Sequence, residues 1–184
     1  VSAFLLNRSS DLAIEAQKEI SSFSERMQRM FGMVQDLLNL SSSASNKNKN
    51  NEQEFNKLFA RIEKYEGISD NMELEIAQYL ESVSDAHLSD ETKAKIRAML
   101  REVSELESIG DSCYNMARTI NRKFSAKQDH FIEKQYDHLH QMMGLADQAL
   151  TQMNQLMGGR KESYNVNRTF NIENEINNYR NQLK

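Results

Sequence analysis

Not one of the 184 residues is proline. Proline lacks a backbone N–H and clashes with the preceding turn, so it breaks helices and punctuates loops. A chain of this length without it is free to run in long, uninterrupted helices. The rest of the sequence agrees. There are six glycines and no tryptophan, while Glu, Gln, Lys, Met, Leu and Ala, which enter helices at little cost, are plentiful. The sequence therefore predicts an all-α fold, long enough for one or two small domains with a real core.

Apolar residues recur at steps of three and four, the helical period. One stripe runs Leu12, Ala16, Ile20, Phe23, Met27, Met30, Val34 and Leu37. The Ser, Asn and Lys residues of 41–51 follow and read as a solvated loop. A second stripe runs Phe55, Leu58, Ile62, Tyr65, Met72, Ile76, Tyr79 and Val83 and ends at Ser84-Asp85-Ala86-His87. Ser89, followed by Asp90 and Glu91, is a helix N-cap. A third stripe holds Ile96, Met99, Val103, Leu106, Gly110, Cys113, Ala117, Ile120 and Phe124. The fourth holds Ile132, Leu139, Met142, Ala146, Leu150, Met153 and Met157, with Gly158-Gly159 as its C-terminal stop. Ile172, Ile176, Tyr179 and Leu183 mark a fifth. Helices are thus expected at about 9–40, 52–84, 89–124, 127–158 and 162–184. Three of roughly 30 residues would each be about 45 Å long and form an up-down-up antiparallel helical bundle.

The chain also repeats itself. Asn71-Met72-Glu73-Leu74-Glu75-Ile76 and Tyr79 align with Asn171-Ile172-Glu173-Asn174-Glu175-Ile176 and Tyr179, a shift of 100 positions. Two copies of a three-helix unit are implied, the first over 1–124 and a partial one over 125–184. By this shift the third helix of the second unit falls beyond residue 184, so that unit is expected to lack it or to take it from another chain.

Net charge is −4, with acids and bases mixed and no basic stripe, which argues against nucleic acid as a partner. The lone Cys113 fits a reducing compartment. No apolar run reaches the roughly 18 residues of a membrane span. Val1 stands in place of Met, and Val1–Leu6 are apolar. A preceding domain or a helix start packed on the bundle would account for them.

Chemistry concentrates in two acidic motifs. Glu63, Glu66, Asp70 and Glu73 form a stripe beside the apolar face of the second helix; Glu107 and Asp111, with Asn115 one turn on, lie beside that of the third. Like charges four apart on a helix repel by a few tenths of a kcal/mol, so a basic group or a metal ion is needed to offset them. A solvated acidic face is the plainer reading, because such spacings are common among 27 acidic residues. The duplication argues for more: Glu66-Gly67-Ile68-Ser69-Asp70 and Glu107-Ser108-Ile109-Gly110-Asp111 share spacing, Ile and Gly. A glycine inside a helix costs about 1 kcal/mol relative to alanine, so both glycines suggest that the backbones approach closely or that bulk is excluded there. Oxygen ligands from two helices suit a divalent or ferric ion.

The stretch Leu106-Glu107-Ser108-Ile109-Gly110-Asp111-Ser112-Cys113-Tyr114-Asn115-Met116-Ala117 resembles the PhoU family, whose pattern is Glu-Arg-Ile-Gly-Asp, three residues, then Asn-Ile-Ala. Glu66 to Leu80 is similar to that family's second-helix motif. The resemblance implies tandem three-helix bundles that regulate phosphate uptake. It further implies acidic motifs that bind iron, zinc or a similar metal: Glu66, Asp70, Glu107 and Asp111 here, with Glu63 and Asn115 as accessory ligands. Two departures stand out. Ser108 replaces the family's Arg, and Val166 and Phe170 occupy the second-repeat positions of Glu66 and Asp70, which confines an implied metal site to the first unit.

PhoU-like domains also form the cytoplasmic C-terminal tails of sodium–phosphate cotransporters, and the apolar lead-in fits such a tail. The partners implied are the membrane domain of the same transporter at the cytoplasmic face of the inner membrane, or a separate phosphate transporter or sensor kinase; a homodimer is a further option. A purely structural bundle without metal is the alternative of another class. His130, Glu133, Asp137 and His140 share a face of the fourth helix, although polar surface is their commoner role. Paired Glu-x-x-His motifs for a di-iron core are absent. No nucleophile–base pair, open catalytic metal motif or Gly-rich phosphate loop marks an enzyme.

Overall fold

The computed structural model describes residues 2–42, 49–84, 88–126, 131–159 and 166–182, and, within these, side chains from Leu12 onward except that of Lys49. Within them lie five helices and no strand: α1 (Ser2–Leu40), α2 (Lys49–Ser84), α3 (Asp90–Ser125), α4 (Glu133–Met157) and α5 (Val166–Gln182). The all-α bundle read from the missing prolines is the fold. None of these helices is long and apolar enough to cross a membrane.

Two helix starts differ from expectation. α1 begins at Ser2 rather than residue 9, carrying the apolar lead-in into the helix, and Lys49–Asn51 form the first turn of α2 instead of loop. Positions 43–48, 85–87, 127–130, 160–165 and 183–184, including His87, His130 and Leu183, lie outside the described residues. The caps follow local chemistry. Thr92 N–H donates to Ser89 Oγ at 3.3 Å, with Asp90 and Glu91 in the first turn of α3 and Arg122 and Lys123 in its last. These charges complement the helix dipole. Ile132, expected in the apolar stripe, is instead 64% exposed as the cap of α4. Its N–H donates to Gln135 Oε1 at 3.0 Å. At the other end Gly158 N–H reaches Asn154 O at 2.9 Å, and Gly159 turns the chain away at φ 75°, a backbone that only glycine adopts freely.

Each of α1, α2 and α3 packs on the other two, α4 packs on α1, and α5 packs on α4. Contacts give the directions. From Glu63 to Ser69 along α2, the α3 neighbours run backwards from Tyr114 to Gly110, so the two helices are antiparallel. Ser24 against Asn154, and Ser41 against Tyr136, make α4 antiparallel to α1. The seven residues from Ile96 to Ala117 of the third stripe are the buried residues of α3. On α1, however, Phe31, Met33 and Leu38 are buried besides the expected stripe. One stripe serves a helix with one covered face. α1 lies among three helices, and Leu38 shares a pocket with Phe131 and Tyr136 from the start of α4. Burial pushes the Cys113 thiol up to about 12, which leaves it an inert small hydrophobe.

Candidate functional site

The acidic faces of α2 and α3 meet because one small contact lets their backbones close up. Ser69 is buried, with its hydroxyl 3.7 Å from Met27 Sδ of α1. Opposite it, a Cβ built on Gly110 would lie 2.8 Å from Ser69 Oγ and 3.0 Å from Met27 Sδ. Real Cβ atoms do not approach so closely. Gly110 is therefore the glycine at the close contact. Gly67, expected to act in the same way, faces open space, so its occurrence has no packing reason.

Ser69 stands next to Asp70 and Gly110 next to Asp111, so this crossing draws the two carboxylate sets together. Partial burial raises the Glu66 carboxyl above its ordinary value, reinforced by the charges of Asp70, Asp111 and Glu63. Glu107 is raised likewise, first by burial, then by Asp111, Glu73 and Asp70, and by a hydrogen bond with Asp111. Six carboxylates on two helices thus share one region of negative potential. Glu73, left out of the expected metal set, belongs to it; the signal was its place one turn after Asp70 in the same stripe. Tyr114 was also missed. Its hydroxyl donates to Glu63 Oε1 at 3.1 Å, and the Arg118 guanidinium lies 5.7 Å from its ring centre.

Compensation is scarce. Among the described residues none of the six carboxylates is in an ion pair; the Lys95–Glu91 pair, at 3.0 Å, lies in the first turns of α3. Ser108, in place of an Arg, donates its hydroxyl to Ser104 O at 3.1 Å and brings no charge. Nor are the acids gathered around a point: among the described residues no three His, Cys, Asp or Glu side chains are placed to hold a metal ion. Asn115 is exposed one turn beyond Asp111. The other candidate set does not assemble either. Glu133 and Asp137 are exposed, and the half-buried His140 ring stacks on Tyr136 at 6.4 Å.

The raised carboxyls give stability a definite pH dependence. From the ordinary value of 4.5 up to the raised values of Glu66 and Glu107, the folded chain holds more protons than the unfolded one. Stability from this pair is therefore complete below pH 4.5 and is lost as pH rises through the folded values. Urea midpoints measured across the acid range should fall less steeply with pH in Glu66→Gln/Glu107→Gln than in the native chain. Superimposable profiles would show that the cluster is fully screened by solvent.

The family model described as "PhoU domain" matches residues 27–120. That span takes in the last third of α1, all of α2 and nearly all of α3, and with them every carboxylate of the cluster. No curated protein and no solved structure gives a match.

Proposed function

The chain belongs to the PhoU domain family, and from that premise we propose that it is a regulatory domain of phosphate uptake rather than an enzyme. The observation that carries this reading is the family match over α2, most of α3 and the end of α1, the span that holds both acidic faces. In the more specific form it is the cytoplasmic tail of a sodium–phosphate cotransporter, packing against the membrane domain and biasing transport. A free-standing regulator of a separate transporter or sensor kinase is the alternative within the same role. Deleting residues 27–120 in the cell that carries the gene should change how phosphate uptake responds to external phosphate. Uptake that still follows phosphate supply as before would count against the role. Co-purification with membranes that resists high salt would favour the tail, whereas recovery in the soluble fraction would favour the free regulator.

We further propose that Glu66, Asp70, Glu107 and Asp111, with Glu63 and Asn115 as accessory ligands, take a divalent or ferric cation. The fit lies in the donor set: hard oxygen donors on two helices, raised carboxyls and no ion pair to any of them. A bound cation would supply the missing countercharge and tie α2 to α3. The separation of these groups favours a second reading, a metal-free bundle with a solvated acidic face. Elemental analysis decides between the two. Asp70→Ala/Asp111→Ala should abolish a stoichiometric metal content; equal metal in variant and native protein would remove these residues from the site.

A further inference from the structure

The contact between α1 and α4 is unlike those within the α1–α3 unit, because its middle is a ring of polar side chains. Gln28 Nε2 donates to Asp147 Oδ1 at 3.1 Å and to Thr151 Oγ1 at 2.8 Å, while Gln28 Oε1 accepts from Asn154 Nδ2. The fully buried Ser24 donates its hydroxyl to Asn154 Oδ1, and Thr151 Oγ1 donates to Asp147 O at 2.9 Å. The Gln28 amide is thus saturated by α4. Its directional bonds set one register, where apolar packing alone would allow α4 to slide. An open notch of about 300 Å³ beside this ring, lined by Glu25, Gln28, Arg29 and Asn154, gives water a route to the same groups.

Two more observations bear on how firmly α4 is held. Gln152 on α4 is buried with its Oε1 unpartnered, a cost borne only while it stays out of water. And among the described residues α4–α5 packs on α1 alone, touching α3 only where the end of that helix meets Phe131 and Tyr136, while α5 packs on no helix but α4. By contrast α1, α2 and α3 hold one another in all three pairings.

We propose that α4–α5 is an arm that undocks from α1 as a unit, with Ser24, Gln28, Asp147, Thr151 and Asn154 as its latch. Water can replace these hydrogen bonds group for group, whereas undocking also uncovers Tyr136 and Met143, which share one buried core with α1–α3. Tyr136, Met143 and the Tyr136 hydroxyl on Ser41 O at 3.2 Å draw the arm back. This device holds whether or not the chain serves phosphate uptake.

Native-state hydrogen exchange on the whole chain tests it. In the native protein, α4 and α5 amides should exchange together and faster than those of Val103–Cys113 in α3. Gln28→Ala strips three bonds from the ring and should speed α4 and α5 exchange roughly 10- to 100-fold, with Val103–Cys113 unchanged. Thr151→Val keeps the side-chain shape, removes the acceptor of one Gln28 bond and the donor to Asp147 O, and should give the same pattern at smaller amplitude. Equal acceleration in α3 and α4 would mean that the chain opens only globally and would overturn the proposal. So would unchanged α4 exchange in both variants.

Discussion

Replacing Phe55 with alanine is expected to lower the unfolding free energy by about 3–5 kcal/mol, the range for removing a buried phenyl ring from a core that cannot close over the gap. Phe55 is fully buried, and its ring stacks on Phe124 with centres 3.9 Å apart and planes 12° from parallel. It joins the first turns of α2 to the last turns of α3. An aromatic pair adds about 0.5–1.5 kcal/mol beyond area burial, which places this variant toward the upper end. At roughly 2–4 °C per kcal/mol for a chain of this size, the melting temperature should fall by about 6–20 °C. Thermal unfolding followed by far-UV circular dichroism measures it. Phe124 is only half-buried, so Phe124→Ala should cost less; the reverse order would mean that the ring pair is anchored from α3.

Gly110→Leu should destabilise by about 1–3 kcal/mol through overpacking, even though a glycine leaves the helix interior. Two terms oppose each other. Helix propensity favours any replacement of glycine by about 1 kcal/mol. Against it, the new Cβ meets Ser69 Oγ closer than real Cβ atoms come and crowds Met27 Sδ. For alanine those two side-chain ends can swing aside, so Gly110→Ala should lie near zero. For leucine the added branch has no room, and α2 must move away from α3. Removing the obstacle tests the cause: Ser69→Gly should recover more stability in the Gly110→Leu background than in the native one. Gly67→Ala is the control, since nothing lies within 4 Å of its Cβ; it should stabilise by up to about 1 kcal/mol. Equal effects at the two glycines would contradict the close crossing, and urea denaturation separates the cases.

How far the acidic site could be read in advance follows from the same crossing. Periodicity placed Glu63, Glu66, Asp70 and Glu73 on one edge of α2 and Glu107 and Asp111 on one edge of α3, because a helix maps sequence spacing directly onto faces. Whether those edges meet depends on the rotation of each helix and their distance apart, and these are set by Ser69, Gly110 and Met27 acting together. Thus two similar glycines, Gly67 and Gly110, proved unlike. Tyr114 bonds across to Glu63 without any local signal, since the two are 51 positions apart.

Sequence alone determined that the chain is helical, that Ser89 caps α3 and Gly158 ends α4, and which residues of α3 face inward, since these rest on backbone chemistry and on neighbours within a turn or two. Only the tertiary structure decided that α1 is covered on more than one face, that Gly110 and not Gly67 is the contact glycine, and that Gln28 and Asn154 meet. Those outcomes depend on which helices become neighbours, and a helix carries no record of its partner beyond the width of its apolar face.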